Sequence, residues 1–448
     1  MKYLRIILKP ENIFALFALF FGLIVAFGTP AFFGLDESAH FFRLYQIAEG
    51  DISPTKEGDR AYAFAPSNME DAINNTWINS DYINESPWDY FNFDIDKSSR
   101  TKIDITNAAV YSPFCYLPQL LFLKVAMVFT KNLLFIHYLI RIVGLLSFIA
   151  MGYFAIRKFG FNKWLIMFLA LLPVTVAQAS VLNADGMTFG LIYLLASQIS
   201  AIIAQKEIVS KKQIIWMGIT CAILAIVKQA YLPLLVLVVL TYGKFGSYKR
   251  AIKSIGLMAI ASLICFLLWQ WQISGIKTVS GLVGAGNYEL QLGTLKNNPI
   301  WFAKVLGHTF FSDYGVQLFK ESIGSLFWWE VNFELNFGAT TFAMMVLILL
   351  SIVHQKNILL RWQRVTILGI ILINILLISI IFFMVWTPHG DWRIAGMQGR
   401  YFTPFLLPIC LSFANKKITF GKWTNVISGS LATIASFALL LNMAIYFI

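Results

Sequence analysis

Many separate stretches of about 17–25 residues carry almost no charge, and each is long enough to cross a hydrocarbon core about 30 Å thick as an α-helix. Of the 448 residues, 58% are hydrophobic and only 13% are charged, against about 25% in soluble domains. A water-soluble globular protein is excluded. The fold class this implies is an all-α polytopic membrane protein, a single integral membrane domain over residues 1–448.

A formal net charge of +12 would suit a nucleic-acid partner only if Lys and Arg clustered on a folded face. Here they punctuate the apolar runs, so no nucleic acid is expected and the partner is membrane lipid. Three of the four cysteines, Cys221, Cys265 and Cys410, fall inside apolar runs, and Cys115 has no partner nearby in sequence. Neither a disulfide framework nor a metal site is indicated.

Lys2, Arg5 and Lys9 precede the first run, Ile13 to about Phe33, which is too long for a signal-peptide core and reads as an uncleaved span. Ten further runs follow: Leu133–Ile156, Trp164–Leu182, Gly186–Ala204, Gln213–Val227, Tyr231–Tyr242, Ile255–Ile273, Phe337–Val353, Val365–Trp386, Tyr401–Phe413 and Val426–Ile448. About eleven spans are expected. The segment Ser112–Thr130 is also apolar but carries Pro113, Pro118 and Lys124. If it does not span, the basic clusters at Lys2/Arg5/Lys9, Arg157/Lys158/Lys163, Lys206/Lys211/Lys212, Lys244/Lys249/Arg250/Lys253, Lys356/Arg361/Arg364 and Lys416/Lys417/Lys422 all face one compartment, which the positive-inside rule makes the cytoplasm. It is therefore read as a surface or re-entrant helix, with the N-terminus cytoplasmic and the C-terminus external.

Acidic residues repeat the asymmetry: of 23, only Glu11 and Glu207 fall on the inner side. Fourteen lie between Asp36 and Asp104, in a first external loop over residues 34–111. A second external segment, 274–336, carries Trp301, Trp328 and Trp329. The triplets Asn74-Asn75-Thr76 and Asn84-Glu85-Ser86 match glycosylation sequons, which arise by chance in an Asn-rich loop, and Gly281-Leu-Val-Gly284-Ala-Gly286 lacks the βαβ context of a dinucleotide fingerprint.

Directly after the first span stands Gly34-Leu-Asp36-Glu37-Ser-Ala-His40-Phe-Phe-Arg43. A helix starting near Asp36 places Asp36, His40 and Arg43 on one face and gives Phe41, Leu44 and Ile47 a lipid-facing stripe. Asp36 and Glu37 read either as an N-cap and a first-turn acid, or as carboxylates at the bilayer edge, where a base meets both a water-soluble acceptor and a lipid-borne substrate. Arg400 and Tyr401 begin the tenth run on its outer side, and Lys228 ends the fifth. Guanidinium suits phosphate because its planar fork donates two parallel hydrogen bonds, whereas interfacial snorkelling is the ordinary alternative. Arg141 lies inside the second run, where a charge is costly enough to imply a carboxylate or phosphate partner. Asp185, in Asn183-Ala-Asp185-Gly186 at the outer turn between the third and fourth runs, is its expected neighbour unless the segment is only a tight turn. No obligatory cofactor is expected. A divalent metal has only the grouping of Asp36, Glu37 and His40 in its favour.

The outer Asp36-Glu37 after the first span, the long first loop and Tyr111-Ser-Pro113-Phe-Cys-Tyr-Leu-Pro118 leading into a surface helix resemble the GT-C class of membrane glycosyltransferases. More narrowly, Thr29-Pro30, Asp36-Glu37-Ser-Ala-His40-Phe-Phe-Arg43, Asn183-Ala-Asp185-Gly186 and Gln398-Gly399-Arg400-Tyr401-Phe402 resemble a bacterial multi-pass membrane family. The resemblance implies an inverting enzyme of the bacterial cytoplasmic membrane that takes a sugar from an undecaprenyl-phosphate (polyprenyl-phosphate) carrier and passes it to an external glycan or glycolipid acceptor. The carboxylate matching Asp36 acts there as base, with Glu37 in support. Departures from the pattern are Phe114, where a second-proline surface motif would stand, and a chain without a soluble C-terminal domain. A transporter or flippase of lipid-linked sugars, a polysaccharide polymerase and a non-catalytic subunit with Trp platforms are the alternatives. Coupled carriers place ionisable groups near the bilayer midplane, whereas no Asp or Glu falls within an expected span here.

Overall fold

A computed structural model of the chain describes residues 8–78, 90–276, 288–328, 331–353, 359–414, 418 and 420–448. The side chains of the sequons, Trp77 and Trp328, and the whole of Trp88, Trp329 and the glycines at 281–286, lie outside what it describes. Among the described residues six helices are long and apolar enough to cross a membrane: Pro10–Gly28, Leu133–Lys158, Asp185–Ala204, Tyr248–Gln272, Arg361–Val385 and Gly421–Phe447. A seventh crossing is bent, Lys163–Ala170 meeting Pro173–Ser180 at 54°. The bend has a local cause, because Pro173 disfavours helical geometry at Leu172 before it. The carbonyl freed at Leu169 accepts from the hydroxyls of Thr175 (3.3 Å) and Tyr193 (3.2 Å). Every residue from 164 to 186 is buried, so this broken element is the centre of the bundle.

Of the eleven expected spans, six runs therefore form single helices of span length and a seventh forms the bent pair. The other four runs form helices of 10 to 17 residues: Lys211–Val227, Gln229–Lys244, Phe337–Ile352 and Thr403–Ser412. One of them compensates by its winding. Gln229–Lys244 is a 3₁₀-helix of 16 residues. At about 2.0 Å per residue it extends about 32 Å, where the same residues as an α-helix would reach about 24 Å.

The first long loop holds a sheet that the sequence did not announce. Strands β1 (Thr55–Glu57), β2 (Arg60–Pro66) and β3 (Arg100–Asp104) pair antiparallel in that order, the β1–β2 turn using Gly58 at φ +62°. The sheet packs on the Glu37–Glu49 helix, whose Gln46 amide donates to the Tyr62 carbonyl (3.0 Å) and whose Glu49 pairs with Lys97 and Arg100. Phe41, Leu44 and Ile47 are consequently buried within the protein. The expected lipid-facing stripe on this helix is corrected accordingly.

Hydrogen bonds sort the connections into two ends. At one end Lys244 donates to the Gln205 carbonyl, Arg250 to Val209 (2.7 Å), Gln363 to Leu240 (2.9 Å), Arg364 to Ser412 (3.2 Å) and Ala414 (2.9 Å), and Asn162 to Leu350 (3.0 Å). The described basic clusters gather there. At the other end Ser53 meets Gln272 (2.6 Å), Lys56 meets the Ser274 carbonyl (3.0 Å), and Gln291 meets Thr387 (2.8 Å). The short helix Leu117–Phe129 has both its ends on the first long loop: Tyr116 touches His40, while Lys131 accepts from the Ile95 amide (2.8 Å) and Leu133 donates to Phe93 (2.9 Å).

Candidate functional site

The link between the first span and the next helix is held in an unusual backbone. Phe32 (φ 67°) and Asp36 (φ 57°) are both left-handed, which side chains other than Gly adopt at a cost. Phe32 is fully buried against Phe41, Phe91 and His137. What holds this turn is the pair Glu37–Arg141. Arg141 Nε and Nη2 donate to Glu37 Oε1 (2.8 Å) and Oε2 (2.5 Å), and its remaining N–H groups go to the carbonyls of Ala26 (2.7 Å), Thr29 (2.6 Å) and Pro30 (2.8 Å). All five guanidinium donors are used. Glu37 also accepts from the amides of Leu182 (2.8 Å) and Gly34 (2.9 Å), and both side chains have no exposed surface. Burial alone would raise the Glu37 carboxyl. The Arg141 charge beside it, with His137 and these hydrogen bonds, holds it instead at about 2.

This corrects the expected roles of two residues. Glu37 has no free oxygen with which to orient an acceptor, and Arg141 has no free donor for a phosphate; they tie the first two spans to the broken one. The grouping of Asp36, Glu37 and His40 is likewise no ligand set, and among the described residues no cluster of three His, Cys, Asp or Glu could hold a metal ion. Arg43 also serves the fold. It is buried and donates to Gln46 Oε1 (2.6 Å), the Ile52 carbonyl (2.6 Å) and the Asp51 carbonyl (3.4 Å).

Asp36 behaves differently. It occupies the N-cap position of Glu37–Glu49, yet its side chain makes no cap hydrogen bond and the residue is exposed. Its charge acts on His40, Tyr111, Tyr116 and Arg400.

Those neighbours surround a second buried cluster. Asp185 takes Lys228 on one oxygen and Arg400 Nη1 (3.0 Å) on the other. The Asn183 side chain fixes the turn by accepting from the Asp185 amide (2.8 Å), and Gln178 Oε1 accepts from both Asn183 (2.7 Å) and Arg400 (3.2 Å). The Tyr401 ring lies 5.1 Å from Lys228 Nζ and 5.2 Å from the Arg400 guanidinium, and the Tyr231 hydroxyl donates to the Tyr401 carbonyl (3.0 Å). Two cations therefore share one carboxylate in a place less than a tenth exposed. Arg400 Nε is buried without a partner. Two cations on one carboxylate leave a net positive charge, which favours an anion nearby.

His40 closes the cluster, its Nδ1 bonded to the Tyr116 hydroxyl. Burial pushes its pKa down to about 4, with Asp36 and Asp185 opposing, so at neutral pH the imidazole is uncharged. The structure thus brings together Asp36, His40, Asp185, Lys228, Arg400 and Tyr401 from four separate stretches of sequence. It also adds Gln178, Tyr111, Tyr116 and Tyr231. The signal for Tyr111 and Tyr116 was present in Tyr111-Ser-Pro113-Phe-Cys-Tyr116, and Tyr231 stands three residues after Lys228; Gln178, a lone amide in an apolar run, left only a faint one.

A bundle of apolar helices with a buried cluster of charged and polar side chains at one end defines a multi-pass α-helical membrane protein. The chain belongs to the family described as predicted membrane protein (DUF2142), which matches residues 19–409 and so covers every residue of the cluster. No curated protein and no solved structure matches it.

Proposed function

We propose that the chain is a GT-C-like inverting glycosyltransferase, moving a sugar from a polyprenyl-phosphate carrier to a glycan or glycolipid acceptor outside the cytoplasmic membrane. The observation that carries this reading is the pairing of an exposed, uncapped carboxylate, Asp36, with a buried site in which Lys228 and Arg400 share only Asp185. In the proposed reaction Asp36 removes the proton of the acceptor hydroxyl as its oxygen bonds to the anomeric carbon. The bond from that carbon to the phosphate oxygen breaks, and the carrier phosphate leaves with the electron pair. Lys228 and Arg400 stabilise the charge that collects on it, which is the larger requirement because phosphate needs no acid once neutralised.

Donor binding tests the site. Removing Arg400 takes charge-assisted bonds worth about 1.5–3 kcal/mol each from a desolvated phosphate, so Arg400→Ala should bind a synthetic polyprenyl-phosphate sugar at least about tenfold more weakly, and Arg400→Lys should be intermediate. Unchanged binding in Arg400→Ala would remove the site from the proposal.

The same reading needs the cluster on the outer face. The gathering of basic loops at the opposite end supports that, as does the position of Phe447, which lies against Gly28 beside the site. Reporter fusions at Lys131 and Ile448 should report outside and one at Lys163 inside; an external signal at Lys163 defeats the assignment.

A further inference from the structure

We infer that Glu321 is a positioning residue that fixes the turn carrying Arg400 and so aims its guanidinium at the anion site, an inference that rests on the donor-phosphate reading above. Glu321 stands on the Asp313–Ile323 helix of the second long loop, started by Ser312, whose hydroxyl accepts from the Tyr314 amide (3.3 Å). Although only 7% exposed, its carboxylate meets no cation directly among the described residues. One oxygen accepts from the Gly399 amide (2.6 Å) and the other from Gln317 (2.9 Å). Burial raises its pKa, while these bonds and the Arg400 charge oppose.

The turn is pressed onto the same helix throughout. A Cβ at Gly399 would lie 2.1 Å from the Leu318 carbonyl oxygen and 2.4 Å from Glu321 Cβ, so no side chain fits. Before the turn, the Tyr314 hydroxyl donates to Met397 (2.6 Å); after it, the Thr403 hydroxyl donates to Ser322 (2.9 Å). Arg400 is therefore bracketed on both sides by contacts to one helix, with Glu321 holding the residue next to it. From that fixed backbone its side chain leaves toward Gln178 and Asp185. Glu321 and Arg400 both line a small cavity, together with Val174, Gln178, Ser325, Leu326 and Gln398.

The test uses the full chain in lipid nanodiscs with a short-chain polyprenyl phosphate as probe, alongside hydrogen exchange of the peptide covering residues 397–403. Glu321→Gln keeps an oxygen for the Gly399 amide and should bind within about threefold of wild type, with unchanged exchange. Glu321→Ala should lose about tenfold or more and exchange faster at 397–403, with the thermal midpoint of the whole protein little changed. Equal losses in Glu321→Gln and Glu321→Ala would make the charge itself the contact and overturn the positioning role. Wild-type exchange in Glu321→Ala overturns it as well. Should Arg400→Ala bind the probe as wild type does, the donor-phosphate reading fails, and the exchange result alone then decides Glu321.

Discussion

Cells producing Arg141→Met should contain little folded protein, and Glu37→Gln should be only somewhat better. Each change leaves one half of a fully buried ion pair without its counter-charge, which costs about 3–5 kcal/mol, a large part of the 5–15 kcal/mol that holds an ordinary protein together. Arg141→Met also strips partners from the carbonyls of Ala26, Thr29 and Pro30, in a place where water cannot replace them. Glu37→Gln keeps an oxygen for only one of the amides of Gly34 and Leu182, which donate to different oxygens, and loses the charge facing Arg141. The double variant Glu37→Gln/Arg141→Met should recover part of the loss, because no unpaired charge remains. Size-exclusion profiles of detergent extracts decide this: wild-type amounts of monodisperse Arg141→Met would show that the pair is dispensable.

Asp36→Asn should do the opposite, leaving the fold intact and removing turnover. Base catalysis by a positioned group contributes about 10²–10⁴-fold, and that is the expected drop in sugar transfer. The substitution is conformationally mild, since Asn accepts the left-handed backbone at least as readily as Asp and no cap bond is lost. The two adjacent carboxylates thus separate experimentally, one governing accumulation and its neighbour governing rate. Near-normal transfer by Asp36→Asn at matched expression would leave the proposed enzyme without a base.

The apolar runs were legible because a helix in lipid has one requirement, length without charge, and each of the eleven runs falls on a helix. Their true lengths were not, since a break at Leu172 or a 3₁₀ winding from Gln229 depends on what the neighbouring helices supply. Polar residues at run ends, Asp185, Lys228 and Arg400, converged because an apolar bundle leaves them only its ends. The Glu37–Arg141 pair joins residues 104 apart in sequence, and nothing local distinguishes Glu37 from Asp36 beside it. Strand β2 was hidden for a different reason: Arg60-Ala-Tyr-Ala-Phe-Ala turns its alanines inward, so its buried face is too weakly apolar to stand out. Glu321 stayed invisible because its partner is a backbone amide, and backbone amides leave no trace in composition.

The drawn-out winding of Gln229–Lys244 ties the position of a charged residue of the polar site to the pitch of one helix. Lys228 is the residue from which that helix starts. Rewinding the sixteen residues to α geometry would shorten them by about 8 Å and undo just under one turn. Because Gln363 holds Leu240 near the far end, the slack would be taken up at Lys228.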